Sequence, residues 1–241
     1  MLRVRSSLLM IGLGACIARG DVVTTVSGSK LVVTGDSSPN AVAIEPALDG
    51  IAVVGLDGTL VDGSSEGVTV AGVQRLTVKL RNGNDRVTLT QVTFSNGLDL
   101  RLRRGNDSVV IDQVSGGSAR IQTGNGYDAV RVFGPSRFNS LSVQTSNGND
   151  LIVLDGVSIS GDLDIDTGSE DDGVEIVGTW VDNDMDVRLG NDDDFLVLAD
   201  VAVNDDTDLD GENGDDALVF SGYIWFGDDL DIDGFGDDWW W

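Results

Sequence analysis

Apolar residues recur along most of the chain in pairs, with one polar residue between the two members of each pair. After Asp150 the pairs are Ile152 and Leu154, Val157 and Ile159, and Leu163 and Ile165. Alternation with a period of two is typical of a β-strand with one buried face, and no stretch of the chain has a helical period. Three short strands and three bends in about 22 residues predict one coil of a parallel β-helix.

An aspartate closes the turn before each of these units. The aspartates are Asp85, Asp107, Asp128, Asp150, Asp172, Asp194, Asp216 and Asp238, spaced 22 residues apart except for one spacing of 21. So regular a period predicts a solenoid. We therefore expect an all-β fold, a single right-handed parallel β-helix with three short strands per coil. Residues 85–238 form seven regular repeats, and residues 21–84 form irregular N-terminal coils and a cap.

The two ends of the chain differ from the repeats. Residues 1–20 combine Arg3 and Arg5 with a short apolar stretch, which predicts a signal peptide and an extracellular or cell-surface location. The sequence LGAC, ending at Cys16, supports an alternative in which the protein is anchored through a lipid on that cysteine. The last three residues, 239–241, are all tryptophan and predict a cap over the final coil. A sugar-stacking or partner-docking patch is the alternative for these tryptophans.

Composition narrows the range of functions. The chain has 41 acidic and 15 basic residues, a net charge of −26, so we expect no nucleic-acid partner. The absence of histidine removes the commonest general base and the commonest zinc ligand. The only long apolar stretch is too short for a transmembrane segment.

The turn at residues 124–130, GNGYDAV, resembles the G-x-G-x-D-x-hydrophobic core of the repeats in RTX, or haemolysin-type calcium-binding, proteins. The segments SNGNDLIVL (146–154) and NGDDALVF (213–220) are similar. In that family calcium lies between stacked turns and is bound by the aspartates and by backbone carbonyl groups. The resemblance implies calcium at the eight aspartates that close the turns. The family repeats its turn every nine residues, whereas this chain has one such turn per coil, which is closer to the coil length of right-handed parallel β-helices such as pectate lyases.

A physical argument also points to calcium. Aligned aspartates of neighbouring coils would lie about 5 Å apart, and a pair of like charges at that distance costs about 3 kcal/mol at an effective dielectric constant near 20. The column therefore needs cations, protons or hydrogen-bond donors, and calcium accepts such oxygen ligands. The alternative is that each aspartate accepts hydrogen bonds from N–H groups of its own turn, with glycines supplying the positive φ angles. A phosphate-binding loop is disfavoured because a strand, not a helix, follows the glycines.

The outer face of the third strand suggests an enzymatic alternative. Arg188 should stack between Asp166 and Asp210, with Asp164, Asp186 and Asp208 beside it. In β-helix enzymes similar to pectate lyases, acidic residues bind calcium and a basic residue abstracts a proton; otherwise Arg188 simply offsets the acidic charge. Two functions therefore stay open. One is an exported, calcium-binding, non-enzymatic solenoid for structure, adhesion or binding of extracellular polysaccharide or surface proteins. The other is a calcium-dependent polysaccharide lyase or hydrolase.

Overall fold

The computed structural model describes residues 20–236, and all the regular secondary structure in this range is β-strand. The strands stack in coils of about 22 residues, which confirms the predicted all-β solenoid. The predicted lipid anchor at Cys16, Asp238 and residues 239–241 lie outside the described range, as does all of the predicted signal peptide except Gly20. No helix long and apolar enough to span a membrane is present in residues 20–236.

The N-terminal region, residues 21–84, mixes parallel and antiparallel pairing. Its strands are β1 (Asp21–Ser27), β2 (Lys30–Gly35), β3 (Ala41–Ala47), β4 (Gly50–Gly55), β5 (Leu60–Val61), β6 (Val68–Val70) and β7 (Arg75–Lys79). Strand β2 pairs in parallel with β7 and so belongs to the stack. Strand β1 is antiparallel to β2, and β4 is antiparallel to both β3 and β6. The antiparallel strands end the parallel repeat on this side.

The regular coils each contribute three successive strands. They are β8 (Arg86–Thr90), β9 (Thr93–Phe94), β10 (Leu98–Arg104), β11 (Ser108–Asp112), β12 (Ser115–Gly116), β13 (Ser118–Asn125), β14 (Ala129–Phe133), β15 (Arg137–Phe138), β16 (Ser140–Asn147), β17 (Leu151–Asp155), β18 (Ser158–Ile159), β19 (Leu163–Ser169), β20 (Gly173–Val177), β21 (Trp180–Val181), β22 (Met185–Asn191), β23 (Phe195–Val203), β24 (Thr207–Asp210), β25 (Ala217–Phe226) and β26 (Leu230–Asp233). In β23 and β25 the first and second strands of the coil run together.

Corresponding strands of neighbouring coils pair in parallel and in register, so that equivalent residues form columns. Leu154 pairs with Ile176, and Leu163 pairs with Met185. The register shifts once among the regular coils of the second half, between Ala199 and Val201, where β23 meets β25. The last coil is therefore one residue longer, and Asp208 pairs with Asp231.

The inner columns form the core. The predicted apolar pairs all point inward, and the six side chains that follow Asp150 are each no more than 1% exposed: Ile152, Leu154, Val157, Ile159, Leu163 and Ile165. The residues between the members of each pair point outward. This alternation places two sets of acidic side chains in different environments, one at the turns and one on the outer face of the third strands.

Candidate functional site

The G-x-G-x-D turns bring the backbones of neighbouring coils very close together. Gly126 and Gly148 have φ angles of 142° and 122°, in the region that only glycine adopts readily. A Cβ atom on Gly126 would overlap the carbonyl oxygen of Gly105, and one on Gly148 would overlap that of Gly126. In these coils the close stacking favours glycine, whereas two later coils have Glu170 and Asp192 at the equivalent position, with φ angles of 77° and 78°.

The aspartate that closes each turn points into the solenoid. We refer to the seven described members as the aspartate column: Asp85, Asp107, Asp128, Asp150, Asp172, Asp194 and Asp216. Each is between 2% and 5% exposed. Carboxyl groups are rarely buried to this extent without a partner, so the hydrogen bonds of the column decide how it is stabilised.

One oxygen of each carboxyl group, Oδ1, joins two coils. The backbone N–H of Asp107 donates to Oδ1 of Asp128, and that of Asp128 donates to Oδ1 of Asp150, both at 2.7 Å. The same bond joins each pair of successive members along the column, at 2.6–2.8 Å. At the N-terminal end of the column, the N–H of Asn40 donates to Asp85. The alternative of hydrogen bonding to N–H groups is thus observed, with a correction. The donor belongs to the preceding coil and not to the aspartate's own turn.

The second oxygen, Oδ2, is buried in all seven members and is not bonded to a backbone N–H. In three members a threonine hydroxyl lies close enough to the carboxyl group to lower its pKa: Thr123 at Asp128, Thr145 at Asp150 and Thr167 at Asp172. In the same core, Thr123, Thr145 and Thr167 form a buried column of hydroxyl groups. The hydroxyls of Thr145 and Thr167 donate to the carbonyl oxygens of Thr167 and Leu189. Their lone pairs therefore remain able to accept a hydrogen bond from a protonated carboxyl group, and the Thr123 hydroxyl lies beside the Asp128 carboxyl group.

Burial raises the pKa of every carboxyl group in the aspartate column. It raises the pKa of Asp107 and Asp172 to about 8, and that of Asp150 and Asp194 to about 7. The N–H donors offset part of this increase, as do the hydroxyls of Thr145 and Thr167 beside Asp150 and Asp172, and neighbouring aspartates add to it in these four residues. The pKa values of the remaining members, Asp85, Asp128 and Asp216, are raised mainly by burial as well. Near neutral pH the column is therefore neither fully ionised nor fully protonated.

The column offers oxygen ligands of the kind that calcium prefers, but few of them per coil. Calcium takes six to eight oxygens, and each coil contributes one unpaired carboxylate oxygen. Within residues 20–236 no group of three or more acidic side chains is arranged to hold a metal ion. Calcium at the column stays a prediction, and a bound ion would need backbone carbonyl groups, threonine hydroxyls or water as further ligands.

The register brings together the residues of the enzymatic alternative. Arg188 pairs with Asp166 on one side and Asp210 on the other, while Asp186 stacks between Asp164 and Asp208. The Arg188 guanidinium forms an ion pair with Asp186. Partial burial acts to lower the pKa of Arg188, but the surrounding carboxylates outweigh it and the pKa is raised. An arginine that holds its proton more tightly is a poor base, and the adjacent hollow measures only about 150 Å³.

Two exposed tryptophans form a second surface feature, which the sequence did not lead us to predict. Trp180 and Trp225 occupy outward positions in the column of second strands, with Ala202 between them. They are 44% and 41% exposed. Their spacing of 45 residues, two coils plus the one-residue register shift, is the signal that could have revealed them.

Comparisons with known proteins do not assign this chain to a family. No protein-family model, no curated protein sequence and no solved structure matches it. The resemblance of the turns to calcium-binding repeats therefore rests on the residues of the turns alone.

Proposed function

We propose that this chain is an exported, acidic, non-enzymatic β-solenoid with a structural, adhesion or matrix-binding role, and that calcium stabilises it. The observation that supports this proposal best is the uninterrupted aspartate column. The column links every regular coil to its neighbours through backbone hydrogen bonds, as a device for stiffness would.

The shape of the coils also supports a scaffold. The bends between strands are short throughout the regular repeats, and none contains an inserted loop that could build a deep cleft. Ligand pockets of enzymes are usually concave and enclosed. The exposed acidic face keeps such a rod soluble and opposes edge-to-edge association.

The Oδ2 atoms are the part of the aspartate column that calcium would contact. Seven stacked, buried carboxyl groups are unfavourable when ionised, because at most a threonine hydroxyl lies beside each Oδ2 atom, and either a proton or a cation relieves that cost. We propose that protons do so in mild acid and that calcium does so above the raised pKa values. The calcium effect should then depend on pH.

The test is a thermal melt followed by far-UV circular dichroism at pH 8.5, in EDTA, in millimolar calcium and in millimolar magnesium. We expect calcium to raise the melting temperature by more than 5 °C and magnesium to have a smaller effect, since magnesium dehydrates reluctantly. At pH 5 the calcium effect should be largely lost, because most of the column is protonated.

A pair of variants locates the calcium effect. Asp150→Asn removes one charge from the aspartate column, and Asp166→Asn removes one from the exposed outer face. The proposal requires a reduced calcium response in Asp150→Asn and an unchanged response in Asp166→Asn. Equal melting temperatures in EDTA and calcium at pH 8.5 would show that the column is stabilised by hydrogen bonds alone.

A further inference from the structure

Two exposed tryptophans form a platform on the column of second strands. Trp180 pairs with Ala202, and Ala202 pairs with Trp225, so the two indoles stand two coils apart, about 10 Å. Ala202 points outward like its neighbours but is only 6% exposed. The flanking side chains therefore cover it, and Trp180, Ala202 and Trp225 make one continuous apolar strip, which we call the tryptophan strip.

Hydrogen bonds orient the Trp180 ring. Its Nε1–H donates to Oδ1 of Asp182 at 2.7 Å. The side-chain amide of Asn204 donates to the same oxygen at 2.9 Å. An exposed ring with a fixed orientation loses little conformational entropy when a ligand packs on it, which favours binding.

A shallow groove with a mainly apolar lining and a few polar side chains continues from Trp180 toward the N-terminal coils. Its volume is about 310 Å³. Its hydrogen-bonding side chains are Ser115, Arg137, Asn139, Ser158, Ser160 and Asp182. The surface thus combines flat aromatic faces with donors and acceptors, and the strip and groove together extend over six coils along the solenoid axis.

We propose that the tryptophan strip and this groove bind one uncharged polysaccharide chain of β-linked hexoses, lying along the solenoid axis. The C–H faces of such sugars are apolar and pack on indole rings, while their hydroxyl groups need the donors and acceptors of the groove. Two coils match the length of a disaccharide repeat in an extended β-linked chain, so alternate sugars would meet the two indoles. A net charge of −26 disfavours anionic chains.

This inference rests on the proposed function, because it names the ligand of the matrix-binding role. The test is isothermal titration calorimetry of the full chain with cellohexaose, with polygalacturonate as the anionic comparison. We expect binding of cellohexaose and none of polygalacturonate. Trp180→Ala and Trp225→Ala should each raise the dissociation constant at least tenfold. Trp180→Phe should lose less affinity than Trp180→Ala, since a smaller aromatic face remains.

The matched control is Tyr127→Ala, which removes an aromatic side chain that is 59% exposed in a turn away from the strip. Its affinity for cellohexaose should equal that of the wild type. Failure of the wild type to bind, binding of polygalacturonate alone, or unchanged affinity in both tryptophan variants would overturn the inference. So would concentration-dependent self-association in sedimentation that the tryptophan variants abolish, because the strip would then be an interface between copies.

The calcium melt on the same samples separates this inference from the proposed function. A normal calcium response without cellohexaose binding would overturn the proposal of a polysaccharide ligand and would leave the proposal of a calcium-stabilised solenoid standing. The melt also reports whether a tryptophan variant is folded. If Trp180→Ala melts early, Trp180→Phe and Trp225→Ala still decide the result.

Discussion

The protein has two ordered sets of aspartates with opposite environments. The aspartate column lies inside the turns, and its members are at most 5% exposed. The acidic outer face lies on the third strands and contains Asp164, Asp166, Asp186, Asp208, Asp210, Asp231 and Asp233. The aspartate column has one member per coil, whereas the outer face has two outward positions per coil, one of which is Arg188. The comparison shows that the direction of the side chain decides the role of a repeated carboxyl group. An inward carboxyl group links neighbouring coils, and an outward one makes the surface polar.

The two sets differ in what their oxygens contact. In the aspartate column every Oδ1 accepts a backbone N–H from the neighbouring coil. On the acidic outer face the contacts are between side chains: Arg188 pairs with Asp186, and the amide of Gln144 donates to Asp166. Most of these carboxyl groups face solvent, although Oδ1 of Asp186 is buried without a partner. Hydrated like charges about 5 Å apart repel by only about 1 kcal/mol, so the outer face tolerates stacking that the interior would not.

The largest expected effect comes from breaking the column at pH 5. In Asp150→Ala the N–H of Asp128 loses its acceptor and stays buried, and a small cavity replaces the carboxyl group. We expect a loss of about 2–4 kcal/mol in the free energy of unfolding, measured by urea denaturation.

Asp208→Ala is the matched variant on the acidic outer face. Its carboxyl group is exposed, so its removal should change the free energy of unfolding by less than about 0.5 kcal/mol. Equal losses in the two variants would contradict the distinction between the two sets of aspartates.

The next effect is the dependence of stability on pH. A carboxyl group whose pKa is raised on folding binds its proton more tightly in the folded state. It therefore stabilises the fold below the unfolded pKa of about 4, and this contribution is lost as the pH rises through the folded value. For Asp107 and Asp172 that value is about 8, so the urea midpoint should fall between pH 4 and pH 8 in the absence of calcium.

Asp150→Asn sharpens this prediction. The amide oxygen can still accept the N–H of Asp128, but the group no longer ionises. The urea midpoint of the variant should fall less steeply as the pH rises, and above pH 8 it should be higher than that of the wild type. Asp166→Asn, on the exposed face, should keep the wild-type slope. A flat profile in the wild type would mean that the column does not change its protonation on folding.

The sequence predicted the repeat well, because a parallel stack requires the same residue type at the same place in every coil. The inward pairs such as Ile152 and Leu154 and the aspartate positions followed directly from that requirement. The donor to each Oδ1 did not follow, since it comes from a residue about 22 positions away and backbone N–H groups leave no mark in a sequence.

The ends and the outer surface were harder to predict. In residues 21–84 strands β2 and β3 continue the parallel stack, while β1 pairs antiparallel with β2, and β4 pairs antiparallel with β3 and β6. An alternating sequence is compatible with both kinds of pairing. The tryptophan strip was missed because Ala202 interrupts the aromatic series and the register shift after Ala199 displaces Trp225 by one residue.

The smallest expected effect tests the acidic outer face itself. Arg188 is exposed and is surrounded by carboxylates, so Arg188→Gln removes an ion pair and increases repulsion among its neighbours. Exposed pairs contribute less than about 1 kcal/mol, and salt screens them, so the loss in urea midpoint should be small at low ionic strength and should vanish at about 1 M salt. A loss that persists in high salt would mean that the Arg188 side chain stabilises the sheet by packing on it. The outer face would then be part of the structural framework, and the division between a supporting interior and a solvating exterior would have to be withdrawn for these coils.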